Sequence, residues 1–304
     1  MIAAVIDLGT NTFHLIIADL SPEEPKILFK TNLPVKLGEG RINDNLIIPE
    51  AFERGIAALA GFKAEIDKHQ VTSVYAIATS AVRSASNGAD FVRAASSRTG
   101  INITVIDGDQ EADYIYNGVK ATGVIDSTSL IIDIGGGSTE FIVCDLEKVL
   151  WKKSYNIGAA RLQQAYFHSD PISKQDQKAI NERLETELKD LRDACELYHP
   201  LQLIGSAGAF ETYATMIYDD IDVKQLKYFN IDIPEYQALA LKLISSTNQE
   251  RRDFKGLIPL RVDMIVIASL LTNYALHMVK PEKLSLSTYD LKMGVLFTLK
   301  NLDT

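Results

Sequence analysis

The chain is poor in cysteine and has neither a long apolar run nor a surplus of basic charge, and each shortage removes a class of protein. Its two cysteines, Cys144 and Cys195, make no disulfide framework and lack metal-ligand spacing, so a reducing, cytoplasmic compartment is expected. No run approaches the roughly 18 apolar residues that a membrane helix needs. The N-terminal string "MIAAVIDLGTN" is broken at Asp7 and has no basic leader region, so the chain reads as soluble, with no membrane partner. Lysine and arginine number 31 against 40 acidic residues, a formal charge of −9. Nonspecific wrapping of nucleic acid is thereby excluded, because it requires many phosphates to be neutralised. A small polyanion is still admissible, since basic groups or a divalent cation can reverse the sign inside a cleft.

What is present is an ordinary globular composition, 46% apolar and 23% charged. At 304 residues a single core stops growing, and two domains are expected. An internal repeat gives that expectation its form. "IAAVIDLGTNTFHLIIADL" from Ile2 lies over "TSLIIDIGGGSTEFIVCDL" from Thr128 without a gap, at a constant offset of 126 residues. Asp7 falls on Asp133, Gly9 on Gly135, Thr12 on Ser138 and Asp19 on Asp145. Each copy reads as a strand, a tight polar turn and a second apolar strand. The duplication predicts two related α/β domains facing one another, 1–121 and 122–304, with a hinge at 121–127.

The intervening segments fit this plan. Residues 48–67 have helical apolar spacing with Pro49 near the start. Residues 72–83 read as a strand entering a turn with Thr79, Ser80 and Arg83, and 100–119 as strand, turn and a helix starting near Asp109 or Gln110. One long helix is predicted over 173–198, capped by Ser173 and Asp176, with Ile180, Leu184, Leu188, Leu191 and Cys195 on one stripe. That stripe makes Cys195 a core residue. Residues 259–279 read as a mostly apolar helix interrupted by Arg261 and Asp263.

A strand that ends in Asp and runs into a glycine turn has a chemical use. The turn amides can hold phosphate oxygens, while the carboxylate engages a divalent cation directly or through its waters. In "DIGGGSTE", Gly135, Gly136 and Gly137 remove the Cβ atoms that would block such an approach. Ser138 and Thr139 add hydroxyls, and Glu140 is a second carboxylate near Asp133. In "DLGTNTFH", Thr10, Asn11 and Thr12 give the mirror arrangement, so two turns would grip one phosphate chain. Simple turn capping is the competing account of Asp7 and Asp133. Glu111 by itself suits the first turn of a helix, and His14 reads as structural. Neither turn is a Walker A or dinucleotide fingerprint.

The strings "DLGTNTFHLIIAD", "KLGEG", "ATSAVRSASNG", "IDGDQEADYIYNGV", "IIDIGGGSTEF", "NIGAARL" and "GLIPLRVDMIV" run from one end of the chain to the other. Together they resemble the exopolyphosphatase and guanosine pentaphosphate phosphohydrolase (Ppx/GppA) family in its short two-domain form. The resemblance implies duplicated actin-like (ribonuclease H-like) domains, each a mixed sheet with flanking helices, and a cleft between them. It implies hydrolysis of the terminal phosphoanhydride of polyphosphate or guanosine pentaphosphate, with Mg²⁺ as cofactor, K⁺ as an additional activator, and a homodimer. By the same resemblance Glu111 is the general base, and Asp7, Asp133 and Glu140 serve the magnesium site. Gly9, Thr10, Asn11, Thr12 and residues 135–139 contact phosphate, with Arg83 and Arg261 neutralising its oxygens.

The chain departs from the family at Gln110, at the turn "GSAGAF" (205–210) and at "IASL" (267–270). It has no room in 304 residues for the C-terminal domains of long members, so weak processivity is expected. Three other functions share these motifs: a non-catalytic polyphosphate or alarmone sensor, a kinase, and an actin-type scaffold.

Overall fold

A computed structural model of the chain describes residues 1–206 and 208–302. The first half opens with an antiparallel meander, β1 (Ile2–Leu8), β2 (Thr12–Asp19) and β3 (Lys26–Pro34). Helix α1 (Pro49–Lys68), with proline at its first position, returns the chain to β4 (Ser73–Ala78), parallel to β1. Short α2 (Ser80–Ser84), α3 (Gly88–Thr99), β5 (Ile103–Val105) and α4 (Gly108–Ala121) complete this half. Asp107 caps α4 by accepting from the Gln110 amide at 2.8 Å.

The second half repeats the meander as β6 (Ser129–Ile134), β7 (Thr139–Cys144) and β8 (Val149–Tyr155). There follow α5 (Ala159–Tyr166), α6 (Lys174–Glu187), α7 (Lys189–Tyr198) and β9 (Gln202–Ser206). Next come α8 (Gly208–Ile217), β10 (Tyr228–Ile231), α9 (Ile233–Ser245) and α10 (Asn248–Arg252). The chain closes with α11 (Ile265–Val279), β11 (Lys283–Ser287) and α12 (Leu291–Leu302).

The sheet orders are β3-β2-β1-β4-β5 and β10-β11-β9-β6-β7-β8. Without β10 the second order is the first with its strands renamed, including which pairs are antiparallel and which parallel. Even the register slip recurs: β2 and β3 shift between Ile17 and Ala18, and β7 and β8 between Val143 and Cys144, the same offset that relates the two sequence copies. The duplication is therefore structural down to a single bulge.

Three apolar layers follow from strand alternation. One face of the first sheet (Ala4, Ile6, Leu8) packs on α1 and α3, and the outer face of the second (Leu130, Ile132, Phe141) on the later helices. Between the sheets, Ala3 and Val5 share a core with Ile131, Ile142 and the buried residues of α4 and α12. Thus α4 and α12, which both end at the cleft, lie in the layer common to both sheets.

Two helices differ from expectation. The 173–198 helix breaks at Leu188, where φ is −99° and ψ is 26°. Its stripe survives the break, with Ile180, Leu184, Leu188 and Leu191 fully buried and Cys195 in the core. The Ser173 cap is present, its hydroxyl accepting from the Asp176 amide at 3.0 Å. In the 259–279 segment, Pro259–Arg261 is a separate 3-10 turn and α11 starts only at Ile265. Residues 262–264 form a turn between the two, which keeps Arg261 off the long helix and on the wall of the cleft.

Candidate active site

The cleft opens where β1, β4, β6 and β9 end, the usual place for a ligand in an α/β arrangement. Each meander brings a polar pair to its floor: Asp7 stands opposite His14 across β1 and β2, and Asp133 opposite Glu140 across β6 and β7. Gly9, Thr10, Asn11 and Thr12 line the wall together with Gly135, Gly136, Gly137 and Ser138. The two turns touch. A Cβ on Gly137 would lie 2.6 Å from Thr10 Oγ1 and from Ser80 Oγ, and one on Gly136 would lie 2.9 Å from Asn11 Nδ2. These glycines thus serve the contact between domains as well as any approach of phosphate.

In both halves the segment after the third strand ties the turn carbonyls. Lys36 and Gly38 donate amides to Asn11 and Thr10, and Ala159 and Ala160 donate theirs to Gly135 and Gly136. The carbonyl edge of each turn is thereby occupied, and its N–H edge is the one left for an anion. "KLGEG" and "NIGAARL" are thus equivalent devices, and they meet. Buried Arg161 donates Nε to Gly137 O (3.0 Å), Nη1 to Ile42 O (2.7 Å), and Nη2 to Ser84 Oγ (2.9 Å) and Asn45 Oδ1 (3.2 Å). Gln164 adds a bond to Gly38 O at 2.9 Å. One guanidinium therefore clasps the second domain's glycine turn to the first domain.

Thr139 is a correction. It is fully buried, its hydroxyl donates to Ile157 O at 3.3 Å, and it is absent from the cleft wall. Strand alternation explains this: Glu140 faces the cleft, so its neighbour faces the core.

Glu111 is brought in by the first turn of α4 and lines the cleft, 7% exposed. Arg83 donates Nη1 to Glu111 Oε2 at 2.8 Å and to Ile106 O at 2.9 Å, so it reaches the cleft through Glu111. Burial first, then Glu140, raise the Glu111 carboxyl well above its ordinary range, and Arg83 opposes them. Burial and the neighbouring Glu140 push Asp133 up to about 8. Burial takes Asp7 to about 6, with Lys292 opposing the rise. Burial also raises Glu140, restrained by the Ser154 hydroxyl, which donates to it at 2.6 Å.

Arg261 lines the cleft, and its Nε is buried with no hydrogen-bond partner among the described residues; the same holds for Ser80 Oγ. Both are donors awaiting an acceptor. The turn carrying Arg261 is held from behind by buried Arg251, which donates Nε to Val262 O at 3.1 Å. Ser206 and Gly208 of the divergent 205–210 turn line the wall, while Ala207 lies outside the described residues, as do residues 303 and 304.

Sequence reasoning missed three contributors. His14, read as structural, lies in the wall, its imidazole held well below its usual pKa by burial and then by Lys292 and Arg261. Asp290 and Lys292 enter from the start of α12, Nζ lying 2.5 Å from Asp290 and 3.9 Å from Asp7. Burial would discharge Lys292, but Asp290 and Asp7 outweigh it and raise its pKa. The available signal was a charged pair, "DLK", heading an otherwise apolar helix.

The model of the Ppx/GppA phosphatase family matches residues 16–302. The chain belongs to this family. This Ppx/GppA protein superimposes on the crystal structure of an exopolyphosphatase from Cytophaga hutchinsonii with a TM-score of 0.96 and 36% identity, over 99% of this chain and 98% of that one. It is 28% identical over 297 residues to a putative exopolyphosphatase of Haemophilus influenzae, covering 98% of this chain and 91% of the relative. It is 29% identical over 310 residues to a bifunctional 3-dehydroquinate synthase/phosphatase of Fusobacterium nucleatum, covering 96% of this chain but 46% of that protein. The duplicated α/β fold expected from the repeat, in the actin-like form that the resemblance implies, is thus the fold of solved Ppx/GppA proteins. No helix among the described residues is long and apolar enough to cross a membrane.

Proposed function

We propose that this Ppx/GppA protein removes the terminal phosphate of inorganic polyphosphate or guanosine pentaphosphate by in-line attack of a water that Glu111 activates. The observation that carries the reading is the placement of Glu111: a buried carboxyl at the mouth of two facing turns, pushed toward greater basicity by burial and Glu140 and held by Arg83. A carboxylate in that state accepts a proton from water as the new P–O bond forms. The N–H edges of residues 9–12 and 135–138, with Ser80 and Arg261, supply donors for phosphate oxygens.

Among the described residues no three His, Cys, Asp or Glu side chains form a ready-made metal cage. Mg²⁺ is commonly held by one or two carboxylates with waters and substrate phosphate oxygens completing its shell, and the crowded acids Asp7, Asp133 and Glu140 suit that mode. When bound there, Mg²⁺ would stabilise charge on the equatorial oxygens of the transferred group. Asp7, Asp133 and Glu140 would hold the cation, with Glu111 near Glu140 to orient the water. The proposal also carries the homodimer and the cytoplasmic location that the resemblance implies; light scattering tests the first.

The test is Mg²⁺-dependent orthophosphate release from short polyphosphate, long polyphosphate and guanosine pentaphosphate, with Glu111→Gln beside the native chain. Loss of a general base is expected to lower kcat by about 10²–10⁴-fold with KM little changed. Near-normal turnover by Glu111→Gln would sink the assigned role. Binding without release from any of the three would point to a sensor.

A further inference from the structure

Lys292 breaks one local rule and meets a second only by being paired. A cation in the first turn of a helix opposes the helix dipole, and a buried ammonium is costly unless paired. Yet the Lys292 side chain is 16% exposed, on the second residue of α12, with Asp290 at 2.5 Å and Asp7 at 3.9 Å. Asp290 is itself fixed by the Lys292 amide, at 3.0 Å, so the pair is built into the helix end. The ammonium lines the same cleft as Asp133 and Glu140. A local rule broken on the wall of a cleft points to a functional site.

Counting charge gives Lys292 its task. Five carboxyls, Asp7, Glu111, Asp133, Glu140 and Asp290, line the cleft against two cations, Lys292 and Arg261, and an entering phosphate chain adds further negative charge. Every added charge needs a counter-charge from the protein or from solution. We infer that Lys292 is a built-in cation of the cleft: its ammonium occupies the place of one external cation, pairing Asp7 and Asp290 in the empty site and offsetting one phosphate charge in the loaded one. The phosphoanhydride reading supplies the identity of the anion; the cation count does not depend on it. On this inference K⁺ has no separate task in the cleft, and removing Lys292 creates a vacancy that a dissolved cation fills.

Two measurements on the full chain test it. The first is Mn²⁺ and tripolyphosphate binding, each measured separately by calorimetry, to the native chain, Lys292→Met and Lys292→Arg. Lys292→Met should bind Mn²⁺ about tenfold more tightly and tripolyphosphate about tenfold more weakly, the size expected for losing one charge at 4–6 Å. Lys292→Arg should keep both affinities near native. Affinities that weaken together, or do not move, overturn the inference, because a merely structural lysine has no reason to shift them in opposite directions. The second is phosphate release by the native chain as K⁺ is exchanged for tetramethylammonium at constant ionic strength. An unchanged rate supports a resident cation, and saturable K⁺ activation overturns it. Should Lys292→Met fail to fold, Lys292→Arg and the K⁺ exchange still decide. A native chain that releases no phosphate refutes the proposed activity, and the binding arm still tests Lys292.

Discussion

Arg83 and Glu111 form a 2.8 Å ion pair across 28 residues of chain, and the same guanidinium nitrogen also bonds Ile106 O at 2.9 Å. The carbonyl fixes the arginine, and the arginine fixes the carboxylate at the head of α4. Burial and Glu140 raise the Glu111 carboxyl while Arg83 lowers it, so the pair sets how basic Glu111 is at neutral pH.

Removing Arg83 should therefore move the acid limb of the kcat/KM profile upward. An opposite charge in contact depresses a carboxyl by roughly one to three pH units, and Arg83→Met should shift the limb by about one unit or more. Activity lost at pH 7 should partly return at pH 9, and Arg83→Lys should fall between. An unmoved limb would mean that Arg83 acts on substrate alone.

The acidic floor gives a pH dependence of unusual sign. Asp133, at about 8, and Asp7, at about 6, both lie above their unfolded values because of burial. Between about pH 4 and 8 the folded chain keeps protons that the unfolded chain has lost, so stability falls as pH rises through that window. In chelator, the unfolding free energy from urea titration at pH 5.5 should exceed that at pH 8.5 by an amount on the order of a few kcal/mol. Because cation binding needs ionised ligands, Mg²⁺ at pH 7 should release about one proton, read by calorimetry in two buffers of different ionisation enthalpy. Stability that rises with pH, or Mg²⁺ uptake without proton release, would reject the acid cluster as the cation site.

The repeat made the paired turns, the facing sheets and the floor acids legible, because strand, Asp and glycine turn are local patterns that survive in sequence. The Arg161 clasp was hidden in plain view. "NIGAARL" marked the family, but three of the four partners of Arg161 are backbone carbonyls or a hydroxyl, and such partners leave no sequence signature. Lys292 was hidden for a different reason. α12 follows β11 as α4 follows β5, but the gapless sequence repeat covers only the first two strands of each half, so nothing in it aligned Lys292 with the floor. Thr139 was overread because adjacency to Ser138 says nothing of which face a strand residue presents.

Among the described residues Arg161 has no carboxylate partner, so its loss removes hydrogen bonds and not an ion pair. Arg161→Met would remove four bonds from a charged donor, although Gly137 O and Ile42 O keep the Gly158 and Asn45 amides, and a hydrogen bond to a charged group contributes about 1.5–3 kcal/mol. A loss of roughly 2–5 kcal/mol is expected, with faster hydrogen exchange in 38–45 and 156–162, where the clasp and the Gln164 bond join the domains. Exchange that rises only in α5 would show that the clasp does not hold the domains together.

α4 and α12 bring Glu111 and Lys292 to the cleft and cross in close contact, and two glycines permit it. A Cβ on Gly294 would lie 1.7 Å from Tyr114 O, and one on Gly118 would lie 2.4 Å from Asp290 O. Gly61, exposed in α1, has nothing within 4 Å of the same position. Alanine gains about 0.8–1.0 kcal/mol over glycine by helix propensity, and at Gly61 nothing opposes that gain. At Gly294 the backbone collision forces the helices apart, and overpacking costs of about 1–3 kcal/mol or more exceed the gain. Gly61→Ala should therefore raise the melting temperature, and Gly294→Ala should lower it. In Gly294→Ala turnover should also fall further than folding loss accounts for, because separating the helices displaces Glu111 and Lys292 together. A Gly294→Ala protein with native stability and native kcat would show that this crossing does not position the site.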